Sequence, residues 1–279
     1  MTQRLLVTGG SGYLGRWIAE LARPDWQVTA TYATGPAELD GVDWRHLDVR
    51  DKQVVESLIA AVKPQVIVHT AALNPGQGND FVGVNVAGTA NVAGAAQNVG
   101  SRLIHMSTDM VFDGEQGNYT EADSPNPRTD YGRTKADAEQ AVIDSGADAA
   151  IVRTSLIYGW RPTIARAAQW MIDTAERGDP VQLWADEMRC PIWVESLAAA
   201  IVELAGIDHT GPIHVAGGEA ISRYELGLAL LRFHGIGTDG VSAIPSPPDA
   251  NRPLDCTLDI SLAERLLSTP LPGVSAVLA

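Results

Sequence analysis

The first strand of this chain runs directly into a glycine-rich turn, and that junction limits the folds the sequence can adopt. Residues 4–8 form a short apolar run that predicts a β-strand, and residues 13–21 have the pattern of a helix. Between them lies the pattern G-x-x-G-x-x-G. Glycines permit a tight turn and let the backbone approach a pyrophosphate, while the helix offers free N–H groups and its positive dipole end. The segment therefore predicts a dinucleotide site, with the candidate cofactor-binding residues Gly9, Ser11, Gly12, Tyr13, Leu14 and Gly15.

Short apolar runs alternate with helical stretches through the first half of the chain, as is typical of βαβ units in a parallel sheet. Strands are predicted at residues 4–8, 27–31, 42–46, 65–70, 103–107, 149–154, 181–183 and 213–215. Helices are predicted at residues 13–21, 51–62, 79–99, 164–177, 195–205 and 222–234, with another helix starting near residue 130. We predict an α/β fold with a Rossmann-type doubly wound parallel sheet and a smaller C-terminal substrate-binding lobe. The predicted dinucleotide-binding domain is 1–158, and 159–279 is mainly the lobe, with room for some segments to return to the sheet.

The composition argues against several classes of partner. The net charge of −14 disfavours binding to a nucleic-acid backbone. No apolar run reaches the length of about 18 residues that a membrane helix requires, so no membrane association is expected. Cys190 and Cys256 lie far apart without metal-ligand spacing and indicate free thiols in a reducing compartment. The free thiols favour a cytoplasmic protein. His69 and His105 fall in predicted core strands, where a structural histidine is the simpler expectation, so we expect no metal site.

Tyr131 and Lys135 are the strongest candidates for chemistry. Residues four apart on a helix lie on one face, one turn from each other, so the ammonium can lie near the phenol. A nearby positive charge favours the phenolate and lowers the tyrosine pKa, which produces a general acid or base that exchanges a proton with a substrate oxygen. Lysine is scarce, since the chain has only Lys52 and Lys63 besides Lys135, although an incidental pair on a solvated helix face has the same spacing.

The second predicted strand bears on which dinucleotide is bound. In folds of this type the strand commonly ends in an acidic residue that binds the adenosine 2′-hydroxyl. Residues 29–34, with the sequence TATYAT, contain no acid, and the missing carboxylate removes repulsion against a 2′-phosphate. The expected cofactor is NADP(H) or NAD(H), with a slight preference for NADP(H), and Arg16 is a candidate for contacting the phosphate.

With these features the chain resembles the extended short-chain dehydrogenase/reductase superfamily, and within it most closely the dTDP-4-dehydrorhamnose reductases. The matching segments cover nearly the whole chain and are residues 9–15, 48–49, 69–72, 85–89, 107–114, 119–121, 131–135, 153–155 and 252–259. Segment 107–114, STDMVFDG, is far more specific than the glycine turn. The resemblance implies that Thr108 holds the substrate carbonyl by a hydrogen bond and that Tyr131 donates the proton. It also implies that Lys135 binds the nicotinamide ribose and lowers the pKa of the tyrosine.

The same resemblance assigns further contacts. It implies that Asp48 and Val49 flank the adenine and that Ala71 and Ala72 line the dinucleotide site. The candidate substrate-binding residues are Asn74, Thr108, Asp109, Leu156, Arg189, Trp193 and Arg252. Core packing for the tryptophan and surface salt bridges for the arginines are the simpler alternatives.

Two segments of the chain depart from the pattern of these reductases. Residues 73–77, LNPGQ, replace a usual Val-Asp-x-x-Glu segment. Leu156 stands where a tryptophan that contacts the sugar usually follows Arg-Thr-Ser. Both departures fall at the expected substrate pocket and leave the residues expected to bind the cofactor unchanged.

These features predict a reductase that uses NAD(P)H to reduce a nucleotide-linked 4-keto sugar, with dTDP-4-dehydrorhamnose as the substrate that the resemblance implies. Two alternatives remain open. One is a sugar-nucleotide epimerase or dehydratase that retains NAD, although dehydratases typically place an Asp-Glu pair after the catalytic threonine and Met110 follows Asp109 here. The other is a non-catalytic dinucleotide-binding subunit that resembles the regulatory beta subunit of methionine adenosyltransferase. A homodimer is a candidate assembly.

Overall fold

The computed structural model describes residues 2–247 and 251–279, and the chain divides into two compact units. The first unit holds the chain up to Thr108 together with Asp130–Val152 and Ala198–Ile213. The second holds Asp109–Thr129, Arg153–Leu197 and the chain from His214 onward. The two units therefore interleave along the chain, which passes to the second unit after Thr108 and after Val152 and returns to the first at Asp130 and at Ala198.

The regular elements are as follows. The strands are β1 (Gln3–Thr8), β2 (Trp26–Tyr32), β3 (Asp43–His46), β4 (Val66–His69), β5 (Arg102–Thr108), β6 (Ala149–Thr154), β7 (Ile157–Tyr158), β8 (Val181–Trp184), β9 (Met188–Arg189), β10 (Ile192–Trp193), β11 (Gly211–His214), β12 (Ile221–Ser222) and β13 (Val241–Ile244). The α-helices are α1 (Tyr13–Ala22), α2 (Lys52–Val62), α3 (Gly88–Val99), α4 (Asp130–Ser145), α5 (Arg166–Glu176), α6 (Val194–Leu204), α7 (Arg223–Phe233), α8 (Ser261–Leu266) and α9 (Val274–Val277). A π-helix at Val82–Ala87 precedes α3, and a 3-10 turn spans Asp109–Val111. In the part of the chain that the structure describes, no helix is both long enough and apolar enough to cross a membrane.

A seven-stranded sheet in the order β11-β6-β5-β4-β1-β2-β3 organises the first unit. The pairs β1–β2, β1–β4, β2–β3 and β4–β5 are all parallel. Leu5, Leu6 and Val7 at the centre of the sheet are fully buried, as expected for a parallel strand that is covered on both faces. The order and the parallel pairing confirm the predicted Rossmann-type sheet, in which ligands bind beyond the carboxyl ends of the strands.

One predicted helix of the first unit differs in the structure. The segment 79–99 was predicted as a single helix, whereas the structure has a π-helix that continues into α3. The Asp80 carboxylate accepts a hydrogen bond from the Gly83 N–H at 3.0 Å near the start of the π-helix. Gly88 follows it, at a position where a Cβ would lie 2.6 Å from Cγ2 of Val49. An α-helix and a π-helix accommodate the same apolar residues, so the sequence pattern does not distinguish one from the other.

In the part of the second unit that the structure describes, there are three two-stranded sheets, β7–β10, β9–β12 and β8–β13. Five of these strands, β7, β9, β10, β12 and β13, were not predicted. The first four have only two residues, which is too short to show an alternating pattern. This unit has its own apolar core, to which Tyr158, Met171, Leu183, Leu226 and Leu231 contribute. It is therefore a folded body with its own hydrophobic cluster, and not a set of loops.

The close packing of the first turn of α1 generates a prediction. A Cβ on Gly15 would lie 2.4 Å from Gly9 O and 2.9 Å from Thr70 Oγ1, whereas a Cβ on Gly94 in α3 would meet nothing within 4 Å. We expect Gly15→Ala to lower the free energy of unfolding by about 1–3 kcal/mol because of overpacking. The matched control Gly94→Ala should raise it by about 0.5–1 kcal/mol, since alanine is the better helix former. Urea unfolding followed by circular dichroism measures both, and equal effects of the two substitutions would contradict the packing.

Candidate active site

The glycine turn after β1 has the close packing that a dinucleotide cradle requires. Gly9 adopts a φ of +69°, and a Cβ there would lie 2.6 Å from the main-chain nitrogen of Ala71. The Gly12 N–H donates to Gly9 O at 2.9 Å and closes the turn. Gly12 is also the N-cap of α1, where no side chain caps the first N–H groups, so these donors suit the diphosphate of a dinucleotide. The turn also holds the other candidate cofactor residues, Ser11, Tyr13, Leu14 and Gly15, of which only Gly15 is buried.

The remaining candidate cofactor residues follow β3 and β4. Both oxygens of Asp48 accept hydrogen bonds from Arg50 Nε, at 2.9 and 3.1 Å. These bonds lower the pKa of the Asp48 carboxyl. Val49 is buried, and Ala71 and Ala72 are partly buried just after β4. All four candidate residues lie beyond the carboxyl ends of parallel strands, where such sheets bind ligands.

A buried asparagine, to which the sequence analysis assigned no role, holds the loop after β4. Asn85 is 1% exposed. Its Oδ1 accepts from the Leu73 N–H at 2.8 Å, and its Nδ2 donates to Leu73 O at 3.1 Å and to Thr134 Oγ1 at 3.4 Å. One side chain thus connects the loop to α4. The only signal in the sequence was its place within the matching segment 85–89.

The structure brings Tyr131 and Asn74 together. The tyrosine hydroxyl donates to Asn74 Oδ1 at 3.2 Å, and the tyrosine ring packs edge-on against Phe81 with 6.3 Å between centroids. Asn74 is held by Gln77, whose Oε1 accepts from the Asn74 N–H at 2.9 Å and from its Nδ2 at 3.2 Å. The residue that departs from the reductase pattern therefore contacts the candidate acid directly.

Lys135 reaches from the same helix face into the sheet. It is 3% exposed, and its Nζ donates to Met106 O at 2.6 Å. Burial lowers its pKa from 10.5 to about 8 because an ammonium in the protein interior has lost its hydration. Thr108 ends the strand that contains Met106 and is itself buried. The first unit therefore holds all three candidate catalytic residues, Thr108, Tyr131 and Lys135, on β5 and α4.

Two histidines lie behind this site in the core of the sheet. His69 lies between Thr8 Oγ1 at 2.6 Å and Thr89 Oγ1 at 3.1 Å, and its ring stacks on His105 with 5.5 Å between centroids. Burial lowers the pKa of His69 to about 3 and that of His105 well below its usual value. Both rings are therefore neutral near pH 7. Within the described ranges, no group of three or more His, Cys, Asp or Glu side chains could hold a metal ion.

Comparison with known proteins identifies the family of this chain. A family model described as "RmlD substrate binding domain" matches residues 3–278. The chain belongs to this family. It is 29% identical to "Methionine adenosyltransferase 2 subunit beta" of Rattus norvegicus over 283 residues, which is 95% of this chain and 83% of that protein. It is 31% identical to "Probable low-salt glycan biosynthesis reductase Agl14" of Haloferax volcanii over 288 residues, which is 98% of this chain and 95% of that protein.

A solved structure confirms the fold and the resemblance to the rhamnose reductases. It is a dTDP-4-dehydrorhamnose reductase from Bacillus anthracis in complex with NADP, 25% identical in sequence, with a TM-score of 0.83. The superposition covers 99% of this chain and 97% of the other.

The remaining candidate substrate residues of this RmlD-family chain lie in its second unit. Asp109 is buried, accepts a hydrogen bond from Ser155 Oγ at 2.6 Å and pairs with Arg189 Nε at 3.7 Å. Arg189 is 1% exposed and donates to the carbonyl oxygens of Met188 at 2.7 Å, Leu254 at 2.8 Å and Pro253 at 2.9 Å. This burial does not fit the predicted contact of Arg189 with substrate. The guanidinium holds the main chain together instead.

Arg252 is better placed than Arg189 to meet a ligand. Its side chain is 29% exposed, its Nε donates to the fully buried Glu187 carboxylate at 2.5 Å, and its guanidinium lies 4.5 Å from the centroid of the Trp184 ring. The other two candidates have apolar neighbours. Leu156 packs against the core of the second unit, and the Trp193 ring stacks on Trp160 with 5.9 Å between centroids.

The two arginines generate contrasting predictions. Arg189→Gln should lower the free energy of unfolding by about 3 kcal/mol or more, because it removes a buried positive charge that pairs with Asp109 and Glu187. Arg252→Gln should lower the stability less, because Glu187 keeps its ion pairs with Arg189 and Arg223, but it should weaken the binding of dTDP, used as a probe ligand, about tenfold, which is about 1.4 kcal/mol. Thermal unfolding and isothermal titration calorimetry measure the two effects, with the exposed Arg232→Gln as control. Unchanged dTDP affinity in Arg252→Gln would remove this residue from the candidate site.

Proposed function

We propose that this chain is an NAD(P)H-dependent reductase of a nucleotide-linked 4-keto sugar. The observation that carries the proposal is that Tyr131 and Lys135 lie about one turn apart on α4, with the Lys135 Nζ at 2.6 Å from Met106 O in the strand that ends at Thr108. The glycine turn of the same unit suits a dinucleotide. The reductase names of the Haloferax and Bacillus relatives support the same class of reaction.

Each residue has a defined task in this proposal. A nicotinamide dinucleotide, when bound, supplies the hydride that adds to the carbonyl carbon. The Thr108 hydroxyl donates a hydrogen bond that orients the carbonyl oxygen. The Tyr131 hydroxyl gives its proton to that oxygen as negative charge develops, so the carbonyl becomes an alcohol. The Lys135 ammonium stabilises the phenolate that remains on the tyrosine.

NADP(H) is the proposed cofactor. Strand β2 ends at Tyr32, and no carboxylate in residues 29–34 would repel a 2′-phosphate. Arg16 Nη2 donates to Glu38 O at 3.3 Å, which places the guanidinium beside the chain that follows β2. The NADP complex of the Bacillus anthracis protein supports the same choice.

dTDP-4-dehydrorhamnose is the proposed substrate, because it is the one that the Bacillus reductase is named for. Arg252 is the proposed contact of this chain with the nucleotide diphosphate, since one guanidinium can donate hydrogen bonds to two phosphate oxygens at once. A cytoplasmic location and a homodimer remain predictions from the sequence.

A regulatory subunit is the second candidate function. The observation that favours it is the 29% identity to a methionine adenosyltransferase beta subunit over 95% of this chain. In that case the chain would bind a dinucleotide and a partner protein without turning over a sugar. Copurification of a stoichiometric partner, together with no oxidation of NADPH or NADH, would favour this alternative.

Tyr131→Phe tests the reductase proposal. We expect the purified chain to oxidise NADPH when dTDP-4-dehydrorhamnose is supplied. The variant should lower turnover about 100-fold or more, because it removes the proton donor. Its affinity for NADPH should change by less than about twofold, since the main-chain cradle that binds the diphosphate is untouched. Stopped assays with product analysis measure turnover, and fluorescence titration measures NADPH binding.

Tyr224→Phe is the matched control, since Tyr224 is partly buried and packs against the core of the second unit. It should retain turnover close to that of the unmodified chain. A folded, NADPH-loaded protein that reduces no nucleotide 4-keto sugar would overturn the proposal. So would a Tyr131→Phe variant with full activity.

A further inference from the structure

Glu139 is a buried carboxylate to which the reaction above gives no task. It lies one helical turn beyond Lys135 on α4 and is 3% exposed. Its Oε1 accepts a hydrogen bond from Ser107 Oγ at 2.5 Å. Burying a carboxylate is costly unless it is hydrogen-bonded and paired with a positive charge, so its position in the core requires a physical reason.

Lys135 and Glu139 contact consecutive residues of the same strand. The lysine Nζ donates to Met106 O, and the glutamate accepts from the side chain of Ser107. Positions i and i+4 share one face of a helix, so both charged groups extend from α4 toward β5 in the same direction. A positive and a negative charge are thus buried together between α4 and β5.

The other titratable groups near Lys135 do not supply a compensating negative charge. His69 from β4 and His105 from β5 are neutral because burial lowers the pKa of both. Burial also disfavours the Lys135 ammonium, whereas the charge of Glu139 acts in the opposite direction and raises the lysine pKa. Among the residues that the structure describes, Glu139 is the carboxylate that opposes the effect of burial.

We propose that Glu139 is a positioning residue that keeps Lys135 protonated, and that Ser107 holds the Glu139 carboxylate in place. The inference rests on the proposed reductase function, in which the ammonium stabilises the Tyr131 phenolate. Glu139 acts through Lys135 and has no contact with substrate in this scheme. Its loss would let Lys135 release its proton at a lower pH and would remove the charge that Tyr131 depends on.

The first test measures the Lys135 charge without any reaction. The chain contains only three lysines, so ¹³C-lysine NMR of the cofactor-free protein gives few signals, and Lys135→Met assigns the one from Lys135. Glu139→Gln keeps the size of the side chain and should move the Lys135 titration to lower pH by about one unit. Asp137→Asn removes an exposed charge from the same helix and should leave the titration unchanged. An unshifted Lys135 titration in a folded Glu139→Gln protein would overturn the proposal.

The second test measures the pH profile of kcat/KM for NADPH-dependent reduction, which reports ionisations of the free enzyme. With Lys135 titrating near pH 8, and about one unit lower in the variant, Glu139→Gln should be about fivefold less active at pH 8 and nearly unaffected at pH 6. Glu139→Asp, which keeps the charge, should recover part of the loss. An equal loss at every pH would indicate a structural role and contradict the proposal.

Ser107→Ala covers the case in which Glu139→Gln does not fold. It removes the donor to Glu139 while leaving the carboxylate in place, and it should shift the Lys135 titration in the same direction by a smaller amount. No shift in a folded Ser107→Ala protein would contradict the role given to Ser107. Because the NMR readout needs no substrate, it decides the coupling of Glu139 to Lys135 even if the chain reduces no sugar.

Discussion

Lys135 is shut off from solvent, and its ammonium is held by a main-chain carbonyl of the strand that ends at Thr108. This contact joins α4, the helix that carries Tyr131, to β5. That strand carries Thr108, the candidate hydrogen-bond donor to the substrate carbonyl. It also has an electrostatic cost, because burial lowers the lysine pKa to about 8. Whether Lys135 keeps its positive charge in an environment without water therefore depends on its neighbours. These are the neutral histidines and the Glu139 carboxylate.

The rest of the candidate site depends on how the loop after β4 is held against this helix. Asn85 binds both main-chain polar groups of Leu73 and also reaches Thr134 on α4. The next residue of the loop, Asn74, accepts the hydrogen bond from Tyr131. A carbonyl substrate would compete with Asn74 for the same hydroxyl proton, so Asn74 is placed to orient the phenol before a substrate binds. The π-helix that carries Asn85 thus holds the loop that contains the hydrogen-bond partner of Tyr131, and such irregular turns are frequent at functional sites.

Local features of this chain could be predicted from the sequence, and features that depend on tertiary packing could not. The glycine turn, the alternation of strands and helices and the four-residue spacing of Tyr131 and Lys135 each lie within a short segment. The burial of Arg189 depends on carbonyl groups of Pro253 and Leu254, which are distant in sequence. The sequence pattern gives no sign of these long-range hydrogen bonds. Arg189 was therefore predicted to contact substrate. The role of Asn85 was missed for the same reason, since its partners are a loop and a helix elsewhere in the chain.

The most direct test of the central claim follows the hydride itself. NADPH carrying deuterium at the transferable position of the nicotinamide is incubated with the chain and dTDP-4-dehydrorhamnose, and the sugar is examined by mass spectrometry and NMR. We expect one deuterium bound to carbon 4 of the product sugar, in stoichiometric amount with the NADPH consumed, and its loss in Tyr131→Phe. A folded protein that binds NADPH but transfers no deuterium to the sugar would contradict the account.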